Sequence, residues 1–546
     1  MTVTSEVPME PYTSETYSSY VLLISAIIIF FIYWKIQRRR YVELAEKIPG
    51  PKGLPIVGNA LQFLGGSLFI SQQLISLGLQ YSSVLKIWLF HKLLIFISDP
   101  RDIELILGSS THLDKSDDYA FFKPWLGEGL LISSGQKWKT HRKLIAPTFH
   151  LNVLKSYIER FNTNSRATCA KMAKENGKVF DCHDYMSECT VEILLETAMG
   201  VNKKTQDSGY DYAMAVMKMC NILHLRQTNI WLRPDWLFKI SKYGKEQINL
   251  LNIIHGLTKK VIKRKKEEFN TGNKNYIESF ITPEENLVTA PGKGLRDDLD
   301  EQDENDIGLK KRMAFLDLMI ETSQNGVVLS DNEIKEEVDT IMFEGHDTTA
   351  AGSSFFLSLM GLHQHYQEMC YQELYQIFGD SDRPATFADT LQMKFLERCL
   401  LETLRLYPPV PIIARKINED IKLVSKDLIL PKGATVIVSI AKTHHLQQYW
   451  DDPDKFNPDN HLPEKAAERH YYSFIPFSAG PRSCVGRKYA LLKLKVLLST
   501  ILRNFKVHSD IPEQEFLLQG DIILKRTEGF LIKLEPRRKT LLPSEV

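Results

Sequence analysis

Cysteine is scarce and scattered. Seven occur in 546 residues, and no two stand at C-x-x-C spacing. This argues against a disulfide framework and for a reducing compartment. Neither sign of charge dominates: 68 Lys and Arg face 67 Asp and Glu, a formal net charge of +1. A chain so balanced carries no electrostatic footprint for nucleic acid, so no nucleic-acid partner is expected. There is no Gly-x-Gly-x-x-Gly stretch, so a dinucleotide would have to be handled by a separate protein. What remains is ordinary globular composition, 43% hydrophobic and 25% charged, in a chain long enough to bury a large core.

The first uncharged run is Tyr20–Trp34. With the polar residues before it, the span reaches about 20 residues, enough to cross a bilayer. Tyr17, Tyr20, Tyr33 and Trp34 sit near its ends, as interfacial aromatics do. Glu6, Glu10 and Glu15 precede it, whereas Lys35, Arg38, Arg39 and Arg40 follow. That asymmetry predicts a lumenal tail over 1–16, a single transmembrane anchor over 17–36 and a cytosolic main domain. A cleaved signal peptide would carry its positive charge on the other side and a small-residue cleavage site after the run.

Residues 37–56 read as a basic, proline-rich hinge, because Pro49, Pro51 and Pro55 are too dense for helix or central strand. The stretch 84–96 is β-branched and aromatic and predicts two short strands. From Leu130 onward the pattern is mostly helical. Strand-like stretches return near 423–440 and 516–534. The expectation for 57–546 is one mainly α domain with small β-sheets. Residues 270–308 are polar and aperiodic, with an acidic cluster at Asp297, Asp298, Asp300, Glu301, Asp303, Glu304 and Asp306, and read as an exposed insertion. It is either a solvated loop without function or a docking surface.

The stretch that organises the chain is Phe477-Ser-Ala-Gly480-Pro-Arg482-Ser-Cys484-Val-Gly486. A helical pattern begins directly after it, at Arg487, and runs to Phe505. A cysteine at that place sees unpaired N–H groups and the positive end of a helix dipole, which favours thiolate. Gly480 and Gly486 let backbone approach something flat. Phe477 can cover the sulfur, and Arg482 can hold an acidic group. A thiolate in a dry, cationic loop suits an axial haem ligand. The alternative for a lone cysteine is a buried structural thiol. The ten residues match F-x-x-G-x-R-x-C-x-G, and the chain resembles the cytochromes P-450 over nearly its whole length after the first fifty residues. The resemblance implies the cytochrome P-450 fold, a haem b cofactor with Cys484 on iron, and a monooxygenase activity.

Ser330 to about Tyr366 reads as one long helix, opened by a capping box of Ser330 and Glu333. In its middle lies Phe343-Glu344-Gly345-His346-Asp347-Thr348-Thr349. A glycine inside a helix costs roughly 1 kcal/mol relative to Ala, so something presses close at Gly345. Asp347 and Thr348, three and four residues after Glu344, can share its face. An acid beside a hydroxyl can relay protons; a mid-helix threonine can also simply bond back to a carbonyl. The segment is similar to the oxygen-binding helix of the superfamily, in the form typical of family 4. In that family the glutamate at the Glu344 position can esterify a haem methyl.

Glu402 and Arg405 stand one turn apart, and match the superfamily's E-x-x-R. The third arginine of that network is replaced by Asn460, which implies a weaker, amide-held network. Trp138 and Arg142 match the W-x-x-x-R that holds a haem propionate. Arg415 falls where a further propionate arginine is common, and Arg482 is the third cation. His141 and His346 have no second ligand at zinc-like spacing and read as ordinary hydrogen-bonding residues. The apolar stretch 119–125 suits a channel mouth, packing or membrane contact.

The resemblance implies electrons from NADPH through NADPH-cytochrome P-450 reductase, with cytochrome b5 as an accessory, at the endoplasmic reticulum membrane. Family 4 acts on long aliphatic chains. The insertion before 310–317 resembles insect subfamily G, which oxidatively decarbonylates long-chain aldehydes to cuticular hydrocarbons. The rival expectations are a terminal hydroxylase of fatty acids or terpenoids, a reductase-independent isomerase, and a non-enzymatic haem carrier or sensor. The last two have no use for the Asp347–Thr348 pair.

Overall fold

The computed structural model describes residues 14–201, 209–271, 313–324 and 329–537. The acidic cluster of 297–306 lies outside them.

Helix α1, Ser14–Gln37, is followed directly by α2, Arg39–Lys47. Residues Ser18–Gln37 are long and apolar enough to cross a membrane, with a mean hydropathy of 2.1, and none of the span is buried in the protein. The expected hinge is helical in its first half. Ala45 and Ile48 are fully buried, and the Lys86 ammonium donates to the Ala45 carbonyl at 3.0 Å. The packed domain therefore starts near residue 45 rather than 57. The two apolar residues recur at helical spacing and so face the sheet. Arg38 stacks on Trp34 and Tyr41 and donates to the His91 carbonyl, while Arg40 pairs with Asp420 at 2.6 Å.

Strands β1, Val84–Leu89, and β2, Lys92–Ile97, form the expected hairpin. Strands β4 (Ile413–Lys416) and β7 (Thr435–Val438) extend it to a four-stranded sheet of order β1-β2-β7-β4. The β2–β7 pair is parallel and β4–β7 antiparallel, with Arg415 opposite Val436. Strands β5 (Ile421–Lys422) and β6 (Ile429–Leu430) make a small ladder beside it. At the other end β3 (Val179–Asp181) pairs with β11 (Leu531–Pro536), which pairs with β8 (Phe505–His508). A third hairpin joins β9 (Leu518–Gly520) to β10 (Leu524–Arg526).

Between the sheets lie the helices that build the core: α3 (Gly135–Ile145), α4 (Ile158–Met172), α5 (Cys182–Glu196), α6 (Gly209–Thr228), α7 (Lys242–Asn270), α8 (Asp331–Leu362), α9 (Lys394–Leu406) and α10 (Arg487–Asn504). Helix α8 runs through the middle and packs along α5. From Ala350 to Gly361 every residue is buried. Apolar residues on all sides fit a helix with no solvent face. Ser353, Ser354 and Ser358 are tolerated there, and the first two donate to carbonyls three or four residues back. The capping box is formed as expected. The helix stops at Leu362, short of Tyr366, because His363 leaves helical geometry (φ −95°, ψ 66°) and a new helix starts at Gln364.

Candidate active site

The loop before α10 is set by two left-handed residues, Ser478 (φ 59°) and Gly480 (φ 70°). A Cβ on Gly480 would sit 2.0 Å from the Leu107 carbonyl oxygen, so both conformation and space require glycine there. The Cys484 N–H donates to the Phe477 carbonyl at 2.9 Å and the Ser483 N–H to Gly480 at 2.8 Å, which closes the loop on itself. Gly486 is the N-cap of α10, and a Cβ there would stand 3.9 Å from the Cys484 sulfur. Phe477 is half-buried against the main core.

Among the seven cysteines Cys484 alone is exposed; the other six are buried. Burial, with Glu344 second, pushes its thiol up to about 11. The Gly486 N–H and the cations Arg142 and Arg487 pull the other way, toward the thiolate.

Glu344, Gly345 and Thr348 are the partly accessible residues in the middle of α8, on one face at i, i+1 and i+4. Glu344 faces the Cys484 side and is felt by that thiol. Burial raises its carboxyl to about 7, against the pull of Lys115, Arg142 and Arg482. Thr348 donates to the Glu344 carbonyl at 2.8 Å. Its proton is thus spent on backbone, and its lone pairs remain available. Asp347 does not share this face. It is fully buried on the other side of the helix, where the Cys220 thiol of α6 reaches its Oδ2 at 3.7 Å. Helical geometry explains the difference: i+4 returns to the starting face, whereas i+3 falls short of it by about 60°. The neighbour pressing on Gly345 is Leu194 of α5, whose methyls lie 3.0 Å from a Cβ placed there.

The expected cations converge. Arg482 stacks on Trp138 at 4.3 Å and donates to the Leu130 and Ser133 carbonyls. Trp138 thus supports a guanidinium with its ring face. Arg142 reaches Ser483 at 3.4 Å. Arg415 is buried, and burial lowers its pKa. Burial and then the neighbouring Arg415 bring Arg482 down to about 9.

Sequence reading missed Lys115, which bridges to Arg415 in the ladder and acts on the same Glu344. Burial, then Arg415 and Arg482, push its ammonium well below the ordinary range. No motif marks it, since it comes from a loop brought to β4 only by the fold. Lys493 was missed too. It is buried on α10, is pushed to about 7 by burial, and donates to the Gly345 carbonyl and Thr349 hydroxyl, both at 2.8 Å.

Behind the loop, Glu402 and Arg405 are fully buried and paired at both oxygens, 2.8 Å each. Asn460 donates to Glu402 at 3.0 Å, as expected of an amide in place of arginine. The network is richer than expected. His461 meets Glu402 at 3.0 Å, the Asn457 N–H donates at 2.9 Å, and Arg405 also donates to the carbonyls of His444, Pro453 and Lys455. His141 pairs with Glu337 at 2.7 Å, and His346 donates from Nδ1 to the Met342 carbonyl at 2.9 Å, as ordinary hydrogen-bonding residues. In the 119–125 stretch Phe122 and Trp125 are buried against Phe343 of α8, the Trp ring at 4.5 Å, whereas Ala120, Lys123 and Pro124 are exposed.

Lys115, Arg142 and Arg482 act on the Glu344 carboxyl, and Arg415 stands beside Lys115 and Arg482, so cations dominate this side of the loop. A planar group bearing two carboxylates would balance them, and Cys484 is the soft ligand placed beside it. These are the requirements of haem, and the residues fit it.

A thiolate-ligated haem protein of mainly helical build is the class this loop and helix define. The comparisons agree. The cytochrome P450 family model matches residues 48–534. Cytochrome P450 4g15 of Drosophila melanogaster is 55% identical, over 95% of this chain and 97% of its own length. Cytochrome P450 4g1 of the same organism is 50% identical, over 93% and 92%. Human cytochrome P450 4V2 is 36% identical, over 89% of each. The chain belongs to the cytochrome P450 family, and within it to family 4, subfamily G. It is a monooxygenase, with haem as cofactor and a reductase as electron donor.

Proposed function

We propose that this enzyme acts on long aliphatic aldehydes and removes the carbonyl carbon oxidatively, giving hydrocarbons of the cuticular type. The observation that carries the reading is the likeness to cytochrome P450 4g15 along nearly the full length of both chains, together with the subfamily resemblance. Haem, when bound, supplies dioxygen activation. Cys484 would hold its iron, with Phe477 over the sulfur, Gly486 leaving space beside it and Gly480 letting the loop pack on Leu107. Lys115, Arg142, Arg415 and Arg482 would hold the propionates, with Trp138 stiffening Arg482. Glu344 would carry the ester to the haem; its carboxyl, raised to about 7, keeps a protonated fraction at neutral pH. Thr348 accepts a hydrogen bond on the interior face, and Asp347 supplies the proton from behind it. Glu402, Arg405 and Asn460 are structural.

Electrons come from NADPH through NADPH-cytochrome P450 reductase, with cytochrome b5 as accessory. The helix α1 anchors the enzyme in the endoplasmic reticulum membrane, with residues 1–16 lumenal and the catalytic domain cytosolic.

The test is product analysis. Reconstituted with reductase and NADPH, the enzyme is given a long-chain aldehyde and, separately, a fatty acid. A hydrocarbon one carbon shorter than the aldehyde is expected. A hydroxylated fatty acid as the sole product would overturn the substrate reading in favour of a terminal hydroxylase.

A further inference from the structure

Behind α8, away from Cys484, four buried polar atoms have no partner among the described residues: Asp347 Oδ1, His346 Nε2, His183 Nε2 and Tyr212 Oη. All four residues are at least nine-tenths buried. They come from three helices packed on one another, α8, α5 and α6. The rings of Tyr212 and His346 are 5.4 Å apart. Asp347 acts electrostatically on His183, His346 and Tyr212, and His346 on His183.

Hydrogen bonds fix what each atom needs. His346 Nδ1 faces the Met342 carbonyl, so it carries the proton, and burial keeps the ring neutral; Nε2 is an acceptor. Ser354 donates to Ala350, so its oxygen accepts from His183 Nδ1, and His183 Nε2 is an acceptor too. Asp347 Oδ2 already takes the Cys220 thiol. Three bare acceptors thus share this buried region with one bare hydroxyl, whose single proton can satisfy at most one of them. A buried acceptor left bare carries its full desolvation penalty, and polar groups in this position are served by ordered water. His224 Nε2 is bare as well. Asp521, beside the β9–β10 hairpin, acts on both His224 and Cys220 and extends the polar track in that direction.

We propose that Asp347, His183, His346 and Tyr212 hold a buried water cluster that replenishes the proton Asp347 delivers. His183, His346 and Tyr212 are then positioning residues, acting through water on the acid. The inference rests on the reading of Asp347 as proton donor. The step is proton transfer alone. An O–H bond of bound water breaks as the Asp347 carboxylate gains the proton, and a solvent proton passing along the same hydrogen bonds neutralises the hydroxide left. No electrons move.

The test uses the full-length haem-loaded enzyme with reductase. A high-resolution crystal structure should show ordered water within hydrogen-bond distance of Asp347 Oδ1 and of both Nε2 atoms. Tyr212→Phe deletes one hydroxyl. His346→Asn keeps a donor near Nδ1 and deletes the Nε2 acceptor, and His346→Gln restores a polar atom near Nε2. The first two variants should lose coupling of NADPH to product by roughly tenfold, less than the ~10²-fold cost of losing a general acid. Peroxide and the solvent deuterium isotope effect should rise, with the carbon monoxide spectrum and substrate affinity unmoved. His346→Gln should recover part of the coupling. Dry density at Asp347 Oδ1 would overturn the proposal. So would normal coupling in both Tyr212→Phe and His346→Asn while Asp347→Asn uncouples. Normal coupling in Asp347→Asn would instead remove the donor reading on which it rests.

Discussion

Replacing Glu402 by Gln tests the claim that a buried charge network holds the cysteine loop. Burial works against the Glu402 carboxylate, but hydrogen bonds from Arg405 and His461 outweigh it and hold the group at about 2, against 4.5 unperturbed. A folded pKa below the unfolded one means stability that is complete above about pH 4.5 and lost as pH falls through 2. The gap is worth about 3 kcal/mol at neutral pH, at ~1.4 kcal/mol per unit. Removing one partner of a buried pair costs about 3–5 kcal/mol, because the other charge stays behind. With about 2.1 cal/mol/K of unfolding entropy per residue, the melting midpoint should fall by roughly 3–5 °C. The effect reaches the active site by a short path. His444 Nδ1 donates to the Arg405 carbonyl at 3.2 Å, and its Nε2 accepts the Ile475 N–H at 2.9 Å, two residues before Phe477. Glu402→Gln should therefore also release haem on mild heating before the protein aggregates. Calorimetry and the carbon monoxide difference spectrum check both points. A midpoint unchanged at pH 7 together with full haem retention would refute the argument.

Thr348→Ala removes a hydroxyl whose proton is already given to the Glu344 carbonyl. Haem content should persist while product per NADPH falls by about tenfold or more and peroxide rises; unchanged coupling would mean that the threonine serves the backbone alone. Glu344→Ala should leave haem freely removable by acid–organic solvent, whereas the parent retains it; equal extraction from both would exclude an ester. Arg482→Leu should weaken haem binding without changing secondary structure, read by haem titration and circular dichroism. Loss of the stack on Trp138 should cost about 1–2 kcal/mol beyond the lost charge. Removing residues 1–37 should move the protein from membranes to the soluble fraction with its domain intact; persistent membrane association would place another anchor in the domain.

The elements legible from sequence were those specified by local chemistry. The capping box at Ser330, the β1–β2 hairpin, the helix after Gly486 and the loop around Cys484 all follow from short patterns, and each lies where the pattern puts it. The glutamate–arginine pair and its Asn460 contact were legible for the same reason. What was not legible came from distant segments. Lys115 reaches the cation cluster because its loop bridges to Arg415, 300 residues away. Lys493 meets Gly345 only where two helices pack. His461 joins Glu402 from a turn with no repeating pattern. Asp347 lies in a motif that marks it as important, but its direction was set by the packing of α6 against α8. Periodicity tells which residues share a face; it does not tell what that face meets. The same limit held for the Cys484 thiol. A helix dipole is a local effect and can be read from sequence, but desolvation depends on everything packed around the sulfur. In this protein the sequence alone carried the cysteine loop, the helix after it and the family resemblance, and tertiary structure decided which charged groups surround that loop and which way Asp347 points, because burial is a property of the assembled chain.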